Sequence, residues 1–379
     1  MTNEIELGVT ADLHVHLREG DMKDLIVPTV KQGGISIVYV MPNLSPPITT
    51  IERVRQYKSE LEALDKETIF LMSFYLHSSL TPELVREAGE KGLIHGIKCY
   101  PAGVTTNSKE GVDPNDFSKF YEVFEVMQSL GLVLNIHGEK PGHSHGTEDE
   151  FKPRNEEEDI NILNAEKKFL PALKKLHEDF PKLKIVLEHC TTSDSVALIR
   201  ELNKGKAVGD EIFVGATITA HHLFLTIDQW AGNPINYCKP VAKFHDDKLS
   251  LVGAATSGEP WFFFGSDSAP HPIELKCVYQ NVCAGVFTQS HAVGYLAEVF
   301  DKVGKLSNLI KFVSNNGIKF YNVASNKHVG AKYEELKSNG KKVWLIKRKN
   351  DVPKVIGNSK VTVVPFKAGE QLEWTIEWR

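Results

Sequence analysis

The sequence predicts an α/β fold, a (β/α)8 TIM-type barrel with a small C-terminal β extension, on three observations. Eight short apolar runs of strand character recur along the chain, segments of helical period separate most of them, and polar residues collect at their C-terminal ends. The runs are VTADLHVHL, GISIVYVMPN, TIFLMSFYL, IHGIKCYP, LVLNIHGE, KIVLEHCTT, IFVGATITAHH and WFFFGSDSAPH.

Two intervening segments show how the helices are marked. In TTIERVRQYKSELEAL, Thr49 and Glu52 have capping-box spacing ahead of a stripe of Ile51, Val54, Tyr57 and Leu61. In DPNDFSKFYEVFEVMQSLG, Asp113 serves as cap and Pro114 suits the first turn. Phe117, Phe120, Phe124 and Met127 then form the stripe, and Gly131 ends it. Residues 140–160, rich in Gly, Pro and acid, read as an exposed loop after the fifth run. The tail (about 340–379) contains KVWLIK, KVTVVPF and EWTIEW and reads as a β appendage on a barrel spanning about 9–330. No tandem repeat or long linker marks a second domain, so 1–379 reads as one.

Composition narrows the function. The chain has 379 residues, 41% hydrophobic and 25% charged, enough for a large core. A net charge of -5 with no long Lys/Arg block argues against nucleic acid and for a small-molecule substrate. The N-terminus lacks a basic segment followed by an apolar one, and no apolar run approaches the roughly 18 residues that span a bilayer. A cytoplasmic protein with no membrane partner is expected. Cys99, Cys190, Cys238, Cys277 and Cys283 are odd in number and form no CxxC, so they read as free thiols; Cys277 with Cys283 is only a weak metal pair.

Strand alternation in ADLHVHLREGD places Asp12, His14, His16 and Arg18 on one face and Leu13, Val15 and Leu17 on the other. His14 and His16, roughly 7 Å apart at Cα, can converge on one metal ion. His143 and His145 form a second HxH, but in the acidic loop with no strand to aim them, and read as solvated. The other runs end in Asn43, Lys98, His137, His189 and Asp267, with His271 just beyond. Asp267 follows an aromatic run, and a buried carboxylate needs a cation, a metal or several donors; the alternative is a helix cap. An ammonium at Lys98 would be repelled by metal, so Lys98 either points away or has a depressed pKa and is not a cation.

HxH on the first strand, Lys on the fourth, His on the fifth and sixth and Asp on the eighth resemble the amidohydrolase superfamily with a binuclear zinc centre. Within it, HVHLREGDM, MPNLSPPITT, KCYPAGVTTNS, EHCTT, YCKPVAK, GSDSAPH and VCAG resemble the stand-alone, single-domain dihydroorotases. The likeness runs from residue 9 to about 330, and more loosely through VVPFKAGE. It implies the reversible cyclisation of N-carbamoyl-L-aspartate to dihydroorotate in pyrimidine biosynthesis. It implies two zinc ions per chain, one on His14, His16 and Asp267 and the other on His137 and His189, bridged by carboxylated Lys98. Asp267 would carry the proton between water and the leaving nitrogen. Arg18, Asn43 and His271 would hold the substrate α-carboxylate, a role suited to a guanidinium fork. Main-chain groups at Lys239 and Ala284 would read the pyrimidine edge, and Thr105 and Thr106 would sit on a loop over the site. A homodimer is compatible with the sequence.

Two alternatives stand beside this reading. One is another cyclic amidase, of the hydantoinase or dihydropyrimidinase kind. Such enzymes usually build a β-sandwich partly from residues before the first barrel strand, and only about nine precede it here. Their substrates also lack the carboxylate that Arg18 would meet. The other is a non-catalytic amidohydrolase relative, which would be free to lose ligands that are all present here.

Overall fold

The computed structural model describes residues 3–104, 107–108, 110–142, 159–207, 209–278 and 281–379. After a first strand β1 (Glu4–Gly8), the eight apolar runs form parallel strands. They are β2 (Ala11–Val15), β3 (Ile37–Val40), β4 (Ile69–Leu71) with β5 (Ser73–Tyr75), β6 (Gly96–Cys99), β7 (Val133–Ile136), β8 (Lys184–Leu187), β9 (Val214–Ile218) and β10 (Phe262–Phe264). The third run is split at Met72, so hydrogen bonding follows two ladders, β2-β3-β4 and β5 through β10 in order. The last run closes on the first beyond β10, where Asp267 N–H donates to His14 O (2.9 Å) and His16 N–H to Ser268 O (3.1 Å). Closure of the barrel therefore runs through the residues expected to hold metal.

A helix follows each strand run: Gly20–Gln32, Ile51–Leu64, Pro82–Glu90, Tyr121–Leu130, Ala165–Asp179, Ser193–Leu202, His245–Ser257 and Ala292–Lys302. Both apolar stripes read from sequence are buried. Their starts differ from expectation by local turn chemistry. Thr50, not Thr49, caps the second helix, its hydroxyl accepting from Arg53 N–H. Asp113 is no helix cap. Its carboxylate accepts from Asn115 N–H (2.9 Å) in a turn, and a 3-10 turn at Ser118–Phe120 precedes the helix. Gly131 ends that helix with φ +67°, a conformation glycine adopts without penalty.

The alternation expected for β2 holds only in part, because its register shifts between Asp12 and Val15. Leu13 packs with Ile37, Tyr39, Leu71, Val133, Val186 and Phe263, a cluster drawn from six strands and joined by Phe320 and Tyr321. Val15 and Leu17 belong instead to the larger cluster that includes residues of the surrounding helices. Asp12 is structural: its buried Oδ1 accepts from Ser266 N–H (2.8 Å) and His14 N–H (3.2 Å).

The terminal β appendage is larger than its expected span of about 340–379. β11 (Val343–Asp351) pairs antiparallel with both β14 (Gln371–Trp378) and β1, so residues ahead of the barrel complete the sheet. A short ladder of β12 (Ile356–Gly357) and β13 (Thr362–Val363) lies between. The appendage packs on the helix Ala292–Lys302: Trp374 is buried, its indole N–H donates to Asp301 (3.0 Å), and the Tyr295 hydroxyl donates to Phe366 O. Residues 143–158 of the acidic loop, with His143 and His145, lie outside the described residues. Among the described residues no helix is long and apolar enough to cross a membrane.

Candidate metal centre

The C-terminal mouth of the barrel gathers His14, His16, Lys98, His137, His189 and Asp267, all buried. Asp267 Oδ1 lies 3.1 Å from His16 Nε2 and 3.3 Å from His14 Nε2. The ligand atoms of these three residues lie within 4.8 Å of one another, a span one ion can bridge. Ring centroids stand 5.1 Å apart for His14 and His189, and 4.6 Å for His137 and His189, so the imidazoles form a continuous chain. Among the described residues Lys98 Nζ has no hydrogen-bond partner, and it sits 5.0 Å from the centre of the Tyr100 ring.

Three residues at this mouth adopt left-handed backbone without being glycine: Arg18 (φ +59°), His189 (φ +40°) and Asp267 (φ +45°). Such conformations cost free energy and persist where the surroundings enforce them. At His189 the consequence is visible. Strand alternation predicts opposite faces for Glu188 and His189, yet both contact His14, because the left-handed residue cancels the alternation. Sequence reasoning missed Glu188 for this reason.

Two carboxylates stand behind the histidines. Glu188 Oε2 is 2.7 Å from His14 Nδ1, and the same carboxylate accepts from Thr217 Oγ1 and Asn135 Nδ2. Glu139 Oε2 is 2.7 Å from His137 Nε2. A carboxylate on one ring nitrogen fixes the tautomer, leaving the other for a metal. Glu139 follows His137 by two residues in NIHGE, a signal that could have found it. Glu188→Gln should keep the shape but weaken metal affinity by roughly 10–100-fold, as read by competition with a chelator. Unchanged affinity would show that Glu188 does not orient His14.

At three of the four histidines electrostatics suit ligation, which requires neutral imidazoles. Burial pushes His16 down to about 4, and it lowers His137 and His189, the latter further depressed by its cationic neighbours. Burial also opposes a charged His14, but Glu188 and Asp267 together outweigh it and raise His14 above its ordinary value, so at this residue a metal would have to displace a proton. For Asp267, burial favours the acid, while hydrogen bonds from His14 and His16 prevail and hold it ionised. Burial brings Lys98 down to about 8 even though Glu188 and Asp267 pull the other way. Lys98 points into the centre rather than away from it, and the lowered pKa raises the fraction of neutral amine above that of an ordinary lysine.

A well of about 20 Å³ beside this cluster is lined by His16, Asp267, Arg18, Asn43, Lys239 and Ala284, among others, so most residues expected to bind substrate are brought together. It shares Lys239 and Ala284 with a wider cleft of about 1020 Å³ that also reaches Gly103 and Val104. Arg18 donates Nε to Pro270 O (2.9 Å) and places Nη2 3.1 Å from His271 Nε2; no carboxylate among the described residues pairs with it. His271 Nε2 is also 3.0 Å from Ala284 O, and its tautomer decides which contact is the hydrogen bond. Burial and then Arg18 push His271 to about 3, so it is neutral. Thr105 and Thr106 lie outside the described residues.

A second cluster, His221, His222 and Cys238, also has ligand atoms within 4.8 Å. Three of its five candidate ligand atoms are engaged, while both ring nitrogens of His221 are buried without a hydrogen-bond partner among the described residues. His222 Nδ1 pairs with the Thr219 hydroxyl (2.8 Å), His222 Nε2 lies 3.1 Å from Pro240 O, and the Cys238 thiol donates to that oxygen (3.2 Å). His222 and Cys238 thus support residues 238–240 by hydrogen bonds to the Pro240 carbonyl. The five cysteines are free, and among the described residues Cys277 and Cys283 belong to no candidate metal cluster.

Fold and site together define a metal-dependent amidohydrolase barrel. No family model matches the chain. It is 54% identical over 379 residues to the dihydroorotase of Saccharomyces cerevisiae, covering 100% of this chain and 99% of the relative. The crystal structure of dihydroorotase from Saccharomyces cerevisiae in complex with 5-fluoroorotic acid matches with a TM-score of 0.92 at 53% identity, covering 100% of this chain and 99% of that one. The L-hydantoinase of Arthrobacter aurescens matches at a TM-score of 0.77 but 17% identity, over 98% of this chain and 83% of that one, and shares the fold alone. The chain belongs to the dihydroorotase family.

Proposed function

We propose that the protein interconverts N-carbamoyl-L-aspartate and dihydroorotate on a pair of zinc ions, as a step of pyrimidine biosynthesis. His14, His16 and Asp267 would hold one ion, His137 and His189 the other, and Lys98, carboxylated on Nζ, would bridge them. The donor set supports this: three converging ligand atoms and a buried amine without a partner. Carboxylation joins carbon dioxide to a neutral amine with release of a proton, and burial makes that amine available. Bound metal supplies acidity to water and polarises the amide carbonyl.

The chain's own groups do the rest. In the ring-opening direction the water oxygen bonds to the ring carbonyl carbon and the carbon–nitrogen bond breaks. Asp267 takes the water's proton and delivers it to the departing nitrogen. Arg18, with Asn43 and His271 beside it, holds the substrate α-carboxylate, and main-chain groups at Lys239 and Ala284 flank the ring. Thr105 and Thr106 are assigned, by resemblance, to the loop over the site. Free thiols fit a cytoplasmic setting.

One observation carries this reading: a guanidinium with no carboxylate partner among the described residues opens onto the same small well as His16 and Asp267. A carboxylated ring is therefore favoured over a ring without that group. The kcat/KM for dihydroorotate should exceed that for dihydrouracil by about 100-fold or more, and Arg18→Met should lose most of that preference, about 2.7 kcal/mol. Equal use of both rings by the unaltered protein would contradict the assignment.

A further inference from the structure

Three main-chain carbonyls converge on one buried ammonium. Lys276 ends the short helix Ile273–Lys276, and its Nζ donates to Tyr237 O (2.9 Å), Cys283 O (3.0 Å) and Gly285 O (2.8 Å). All three of its N–H donors are thus used. Its neighbours are the thiols of Cys238, Cys283 and Cys277 rather than a carboxylate, and burial brings its pKa down to about 8. A buried cation lacking an anion depends on such dipoles, so breaking any of the three contacts is unfavourable. The ammonium is a rigid tie.

What it ties is the rim of the well. Residues 237–239 and 283–285 come from distant parts of the chain, and Gly285 N–H donates to Tyr237 O (2.9 Å) between them. Lys239, Ala284 and Gly285 line the small well. The carbonyls of residues 283, 284 and 285 each meet a side chain in turn: Lys276, His271 and Lys276. Gly285, at φ +154°, approaches so closely that a Cβ there would lie 2.3 Å from Ala269 O, which leaves the segment no room to shift outward.

We propose that Lys276 is a positioning residue for the substrate ring: by joining residues 237–239 to residues 283–285 it fixes the spacing of the main-chain groups at Lys239 and Ala284. The proposal rests on the dihydroorotase reading of this well. Lys276 touches no reacting atom, so its loss should weaken ring binding far more than it slows turnover.

Lys276→Met keeps the volume and removes the donors. Its Kd for 5-fluoroorotate and its KM for dihydroorotate should both rise about tenfold or more, with kcat changed by less than about threefold and zinc content unchanged. Lys276→Gln carries the same expectations should the methionine variant fail to fold. Unchanged Kd and KM, or a fall in kcat at constant KM, or zinc lost in step with activity, would overturn the proposal. An unaltered protein that neither binds 5-fluoroorotate nor opens dihydroorotate would instead overturn the reading beneath it.

Discussion

Lys98→Met should strip metal and activity together: zinc falls from two ions per chain to one or fewer, and turnover drops by at least about 10³-fold, or ~4 kcal/mol of transition-state stabilisation. Methionine fills the same space but cannot be carboxylated, so the ions lose the anion that would join them. The folded chain without metal should not suffer, because the amine it replaces is buried and makes no hydrogen bond among the described residues. Thermal stability of the metal-free variant should equal or exceed that of the metal-free parent. Loss of activity through unfolding predicts the reverse. Metal analysis beside thermal melts separates the two, and full zinc content with normal turnover in the variant would rule out the carbamate.

Asp267→Asn should be nearly as damaging for a different reason. The amide keeps the size of the side chain and can still accept from His14 and His16, whose nitrogens lie 3.3 and 3.1 Å from Oδ1. It cannot take a proton from water or return one to nitrogen. Loss of a general acid-base group costs typically about 10²–10⁴-fold, and here weaker metal binding adds to it, so a fall of about 10³-fold or more is expected. Ring opening and ring closure should slow by the same factor, since a catalyst leaves the equilibrium unmoved. The backbone adds a second constraint. Asp267 sits at φ +45°, a conformation asparagine tolerates well, so the variant should fold. Turnover within about tenfold of the parent would remove Asp267 from the proton path.

The sequence was legible wherever one periodicity governed a whole element. All eight strand runs formed, because strands buried on both faces must be continuously apolar, and the histidines and aspartate at the ends of those runs lie together at the barrel mouth. Legibility failed where the backbone leaves the regular pattern. The register shift in β2 sends Leu13 to one cluster and Val15 to another, and left-handed His189 brings its ring to the side of the strand that Glu188 already faces. Neither deviation has a composition signal, since both are enforced by packing across the barrel. Lys276 escaped notice because its three partners are main-chain carbonyls, which no side-chain motif records. The strand at Glu4–Gly8 was hidden because its partner in the sheet is more than 300 residues away. Its presence also weakens the argument that set hydantoinase-type enzymes apart by their N-terminal β structure; sequence identity, not that feature, decides the family.

The most direct test of the central claim is the equilibrium reached by the zinc-loaded protein from N-carbamoyl-L-aspartate and, separately, from dihydroorotate. Near neutral pH the open form is a dianion and the ring a monoanion, so closure consumes a proton. The account predicts that both starting points converge on one mixture and that its ratio moves about tenfold per pH unit toward the ring as the medium is acidified from pH 8 to 6. No interconversion by the metal-replete protein, or a ratio that does not move with pH, would contradict it.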